Sequence, residues 1–179
     1  RSATLTAPNG SAQRGLWTAA AADACVRDRQ LTCIETHGTG TALGDPIEAG
    51  TMAANMLVAR EAPAVVGGMK ANCGHSEPGA GMTGLLKLQW MLACGSAAPN
   101  AQLRALNPHV NGALQRVLCA LPTQLAALVA PWSKELTVRS KELTLGGVSS
   151  FGYSGTIAHA VLQGGMASEG DAGVAPPLP

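Results

Sequence analysis

Aromatic side chains are scarce in this chain of 179 residues. They make up 3%, with one phenylalanine, one tyrosine and three tryptophans. A platform that stacks nucleic-acid bases needs several exposed rings, so that class of function is disfavoured. Charge is scarce too, at 13%, where about a quarter is usual. The 12 basic and 11 acidic residues nearly cancel to +1. No basic field is present to attract nucleic acid. No window approaches the ~20 unbroken apolar residues of a membrane span. No basic-then-apolar leader opens the chain, which reads as cytoplasmic. The first residue is Arg1, not methionine, which reads as a fragment. The five cysteines include no C-x-x-C pair, so neither a zinc knuckle nor a redox couple is expected. They read as free, mostly buried thiols in a reducing compartment. No two of the four histidines stand at i, i+4, and no H-E-x-x-H occurs, so no metal is expected.

Apolar residues, by contrast, reach 46%. That is enough to bury a core for one domain, or for half of a larger one. Thr6-Ala7-Pro8-Asn9-Gly10 reads as a turn, and residues 14–28 as an Ala- and Leu-rich helix. A short strand is expected over Leu31 to Thr36, followed by the loop His37-Gly38-Thr39-Gly40-Thr41. Asp45 as N-cap and Pro46 at N1 predict a helix to about Arg60. A buried strand at Ala64–Gly68 leads to a second polar loop, Lys70-Ala71-Asn72-Cys73-Gly74-His75, and then an apolar helix over 79–93. Residues 95–116 read as irregular, and Val117 to Leu121 as a strand. Strands at Leu143 to Ser150 and Ile157 to Gln163 flank a third loop from Phe151 to Thr156. Residues 164–179 read as a linker or tail, leaving 1–163 as the folded unit.

Two successive strand–loop–helix units imply an α/β arrangement with parallel strands. Ligands bind such sheets at the carboxyl ends of the strands. His37 and His75 each follow a short buried strand, so both imidazoles are expected on one rim. The glycines beside His37 let the backbone approach a ligand closely. His75 precedes a helix N-terminus, where the dipole disfavours the imidazolium, and a neutral Nε2–H donates well to an oxyanion. Capping alone would not need a histidine there, because Ser76 or Glu77 could serve. Lys70, at a strand end, can hold a carboxylate or tune a neighbouring histidine. Gly38-Thr39-Gly40 fails the dinucleotide fingerprint, since position 43 is leucine and Asp45 stands where a pyrophosphate would sit. Gly74-His75-Ser76-Glu77-Pro78 fails the nucleophile elbow because Pro78 replaces its last glycine.

Three blocks together resemble the β-ketoacyl synthases (ketosynthases) of type I polyketide and fatty-acid synthases. They are Glu35 to Ala49 (ETHGTGTALGDPIEA), Lys70 to Pro78 (KANCGHSEP) and Gly147 to His159 (GVSSFGYSGTIAH), with Leu5 to Gly10 in support. The resemblance implies a thiolase-like fold of two α/β halves in layered αβαβα order, with this chain as the C-terminal half. It implies decarboxylative Claisen condensation of a cysteine-bound acyl thioester with a malonyl-type unit on acyl carrier protein. His37 and His75 would be the catalytic histidines, and Lys70 the lysine that organises the second of them. Thr39 and Thr41 would line the substrate site, Phe151 the cleft, and Gly152, Gly155 and Thr156 the adjoining turn. No cofactor is implied beyond the carrier's phosphopantetheine. The implied partners are the N-terminal half, the carrier protein and, in a full domain, a second copy.

Two departures accompany the resemblance. None of the five cysteines has the Thr-Ala-Cys-Ser-Ser context of the family's nucleophile, so the chain alone is expected to be inactive. Cys73, between Lys70 and His75, is expected only to pack. Ile157 stands where the family usually has asparagine before Ala158-His159, and His159 and His109 are read as structural and loop residues. The alternatives are a non-catalytic carrier-binding scaffold, a thiolase-like acyltransferase and, weakest, a dinucleotide-dependent oxidoreductase.

Overall fold

The computed structural model describes residues 7–128 and 144–164. Helix α1 spans Gly10–Asp23. It starts four residues before the expected helix because Asn9 is its N-cap and accepts from the Ala12 N–H at 3.0 Å. The Pro8-Asn9-Gly10 punctuation thus opens a helix; Asn is as strong a cap as it is a turn former. Strand β1 (Cys33–Glu35) and helix α2 (Gly44–Asn55) follow. Asp45 does not cap α2. Its carboxylate instead accepts from the Gly40 N–H at 3.1 Å and so braces the preceding loop. Strand β2 (Ala64–Gly67) leads into the one-turn helix α3 (Lys70–Cys73), and helix α4 (Ala80–Cys94) ends at Gly95, which takes the left-handed conformation. The stretch expected to be irregular holds strand β3 (Ser96–Ala97) and helix α5 (Pro108–Leu114). Asn107 caps α5 with Pro108 at N1, so His109 is helical. Strands β4 (Cys119–Ala120), β5 (Ala126–Ala127), β6 (Thr144–Phe151) and β7 (Ile157–Gly164) complete the described chain. Gly164, expected in the tail, is buried and pairs with Thr144; the rest of the expected tail lies outside the described residues.

Five strands form one sheet in the order β4-β2-β1-β6-β7, parallel except for the β6–β7 hairpin, and β3 and β5 form a separate antiparallel pair. Helices cover both faces, as a parallel sheet requires. Alternation along β1 separates the two cores. Ile34 packs with Trp17, Met52, Met56 and Leu57 beneath α1 and α2. Cys33 packs with Leu88, Met91, Leu92 and Val148 beneath α4. Gly146 makes room for this second core, since a Cβ there would lie 2.5 Å from Leu88 and 2.9 Å from the Cys33 sulfur. Among the cysteines only Cys33 is buried and Cys119 half-buried; Cys25, Cys73 and Cys94 are exposed, contrary to the expectation of buried thiols. Burial pushes the Cys33 thiol up to about 12, so it is inert. No described helix is long and apolar enough to cross a membrane.

Candidate functional site

Parallel pairing sets Glu35 of β1 opposite Val148 of β6 and Gly67 of β2. The three motif loops therefore leave the sheet at one rim, at the carboxyl ends of β1, β2 and β6. The His37 and His75 rings approach to 6.1 Å between centroids, nearly perpendicular, and the Phe151 ring lies 5.2 Å from that of His37.

Each histidine is fixed through Nδ1 by a backbone N–H. Phe151 donates to His37 Nδ1 at 3.2 Å, from 114 residues away. Glu77 donates to His75 Nδ1 at 2.8 Å. Glu77 holds φ +46, a left-handed conformation unusual for a side-chain-bearing residue, and that geometry directs its N–H back to the ring. With Nδ1 an acceptor, a neutral ring carries its proton on Nε2. Burial, then Lys70, then His75 pull His37 down to about 4, so it is neutral at pH 7.

The loop around His37 is held by residues of its own motif. Glu48 in α2 is fully buried, and its two oxygens accept from the N–H groups of His37 and Gly38 at 2.8 and 2.9 Å. Gly38 takes φ +44, and a Cβ there would meet the Thr36 hydroxyl at 2.8 Å, so both backbone conformation and space favour glycine. The Lys70 ammonium donates to the His37 carbonyl. The resemblance assigned this lysine to the second histidine; here it grips the first, because α3 brings Lys70 across the end of β1. Glu35 accepts from the Met69 N–H and pairs with Lys87 of α4 at 2.7 Å, both side chains buried. Glu48 and Glu35 sit inside the first motif, yet nothing local marks their roles. Their one legible signal is a carboxylate on an otherwise apolar stripe, as with Glu48 one turn before buried Met52.

A cavity of about 530 Å³ opens at this rim. His37, His75, Thr39 and Thr41 line it together with Phe151, Gly152 and Gly155. Lys70 and Thr156 do not. Thr156 closes the β6–β7 turn instead, its carbonyl accepting from the Gly152 N–H at 2.6 Å, with Gly155 at φ +91. No described cysteine lines the cavity; Cys73 is exposed rather than packed. His159 is elsewhere, its Nδ1 3.0 Å from the Ser149 hydroxyl, which accepts from the Trp17 indole at 3.1 Å. That chain ties α1 to the β6–β7 hairpin and supports a structural reading. A second cavity of about 340 Å³ shares Glu48 but contains neither histidine.

Glu48 has a measurable signature. Burial pushes its carboxyl up to about 7 from an ordinary value of 4.5, against the pull of the Gly38 and His37 N–H groups. A raised folded value makes its contribution to stability largest below about pH 4.5 and lost as pH rises through about 7. His37 and His159, each pulled down to about 4, act in the opposite sense as pH falls below 6.5. The Glu48 contribution is therefore read as a difference. In denaturant titrations, the stability advantage of wild type over Glu48→Gln should shrink between pH 4.5 and 7 and level off above. A difference that grows over this interval would contradict the buried-acid description.

The fold, with its motif loops gathered at one rim, is the thiolase-like architecture of ketosynthase domains. The model of the β-ketoacyl synthase C-terminal domain matches residues 1–104, and the chain belongs to that family. It is 38% identical over 161 residues to the spectinabilin polyketide synthase system protein NorA' of Streptomyces orinoci, covering 89% of this chain and 4% of that protein. It is 37% identical over 166 residues to a phenolphthiocerol/phthiocerol polyketide synthase of Mycobacterium tuberculosis, covering 91% of this chain and 8% of the relative. Among solved structures it resembles a ketosynthase domain of the oxazolomycin synthase of Streptomyces albus, at TM-score 0.80 and 28% identity over 94% of this chain and 28% of that one. The module 6 ketosynthase of the Bacillus subtilis bacillaene synthase gives TM-score 0.78 at 25% identity, over 92% and 28%. The chain thus spans under a tenth of these curated relatives and under a third of these two ketosynthase chains.

Proposed function

We propose that this chain supplies the decarboxylation apparatus of a ketosynthase that elongates acyl chains on a polyketide-type assembly line. The observation that carries the reading is the matched pair of imidazoles at the cavity, each with Nδ1 occupied by a backbone N–H and Nε2–H left to donate. In the reaction, the acyl chain waits as a thioester on a cysteine from the N-terminal half. The malonyl-type unit arrives on the phosphopantetheine of an acyl carrier protein, and no further cofactor takes part. Its C–C bond to the carboxylate breaks, CO2 leaves, and the electron pair moves into an enolate. The enolate oxygen accepts from His37 and His75, each such donor being worth about 3 kcal/mol in an oxyanion site. The enolate carbon then attacks the acyl thioester, a new C–C bond forms, and the cysteine thiolate departs. Lys70 and Glu48 hold His37 in place, and Phe151 closes over its ring. The cavity is completed by the N-terminal half, in a domain that pairs with a second copy.

Reconstitution tests this. The chain alone should release no CO2 from malonyl carrier protein and form no ketoacyl product. The polypeptide that joins it to a cysteine-bearing N-terminal half should do both. Elongation by the purified chain alone would refute the division of labour.

A further inference from the structure

The segment that carries Lys70 is tied down by two asparagines that the condensation chemistry does not use. Helix α3 is a single turn with no buried residue, so neither helix cooperativity nor core packing fixes it. The second cavity runs beside it, with Gly68, Ala71, Asn100 and Ala101 in its wall, and leaves open space where side chains would otherwise pack. Hydrogen bonds hold the turn instead. Glu35 takes the Met69 N–H from the β1 side. Asn100, 8% exposed, follows β3 and reaches across to the end of β2. Its Oδ1 accepts from the Gly68 N–H at 3.1 Å, and its Nδ2 donates to the Val66 and Pro122 carbonyls at 3.1 and 3.4 Å. One residue on, the Ala101 N–H donates to the Asn72 Oδ1 at 3.2 Å. The Gly68 and Asn72 ends of this latch lie on either side of Lys70 in the chain.

We propose that Asn100 and Asn72 are positioning residues that latch α3 in the place from which the Lys70 ammonium reaches the His37 carbonyl. This rests on reading the first cavity as the condensation site. Neither asparagine lines that cavity, so both act through Lys70. A lysine side chain is long and loses much rotamer freedom when it is held, so it keeps a distant carbonyl only while its own backbone is fixed. Released from the latch, α3 would let the ammonium return to water. The His37 backbone would then lose its only described side-chain donor, and the ring it carries would drift. Misplacing a reacting group by about 1 Å can cost up to about 10²-fold in rate.

The test measures CO2 release from malonyl carrier protein by the polypeptide containing the whole ketosynthase. Asn100→Ala should lower kcat about 10-fold with little change in KM. Asn72→Ala, at an exposed position, should act in the same direction, and it keeps the test standing if Asn100→Ala folds poorly. Lys70→Met should lower kcat by itself, and adding either alanine variant to it should cost little more, because the latch then has no ammonium to place. A mere loss of folded enzyme would instead lower kcat by the same factor with and without Lys70, and that result overturns the assignment. Unchanged kcat in both alanine variants, or in Lys70→Met, overturns it as well. Absence of CO2 release by wild type overturns the reading of the cavity and the assignment with it.

Discussion

His75→Ala is expected to lower malonyl decarboxylation by about 10²–10³-fold in the complete ketosynthase, with little change in the KM for the carrier-bound substrate. The enolate oxygen gains its charge only as CO2 leaves, so a donor at that oxygen acts mainly in the transition state. His75 makes one described hydrogen bond, from the Glu77 N–H, and is solvent-exposed. Its removal therefore leaves no buried group stranded, and the loss should appear in kcat rather than in stability. His37→Ala should cost a similar factor and destabilise the loop as well. The Phe151 N–H would lose its acceptor, and a half-buried ring packed 5.2 Å from Phe151 would be gone. Comparing CO2 release with unfolding midpoints for the two variants separates the effects. Equal stability loss in both would contradict the different environments described for the two rings.

Lys87→Met should destabilise the fold by about 3–5 kcal/mol, since it strands a buried carboxylate. The Lys87–Glu35 pair lies with side chains 5% and 2% exposed, at 2.7 Å. Glu35 ends β1, and its other oxygen accepts from the Met69 N–H, one residue before Lys70. An uncompensated Glu35 would draw water or a proton into the sheet and loosen the segment that carries Lys70. The double variant Glu35→Gln, Lys87→Met should recover much of the loss, because it removes both charges and keeps an acceptor for Met69. A double-mutant cycle from urea titrations measures the coupling. Additive losses would show that the pair is not what holds these elements together. The pair stands under the active rim, so activity should fall with stability in Lys87→Met and return in the double variant.

The alternation of short apolar strands with Gly- and Thr-rich loops was legible without coordinates, and so was the placement of His37 and His75 after successive strands. The helix around Pro8 to Asp23 was misplaced because Pro and Asn-Gly serve turns and helix starts alike; which one prevails depends on what the following residues can bury. Trp17 and Ala21 lie on the face of α1 that packs against β7, and that packing extends the helix from its Asn9 cap. Helix α5 was missed for a related reason. Its seven residues carry little periodicity, and burial of Leu114 in the core beneath α2 decides it.

By itself the sequence determined the chemistry on offer: two imidazoles, an ammonium and glycine hinges in three loops, set at the ends of strands whose order forces them to one rim. Residue type and local spacing carry that much, because strand–loop–helix units are local. Only the tertiary structure decided how the groups are tuned. The acceptor role of His37 Nδ1 depends on Phe151, the tautomer of His75 on a left-handed Glu77, and the grip of Lys70 on the first histidine on the approach of α3 to β1. Each is a hydrogen bond between atoms whose meeting is set by sheet register and helix packing. No local pattern encodes those distances, and the arrangement of donors at the site follows from them.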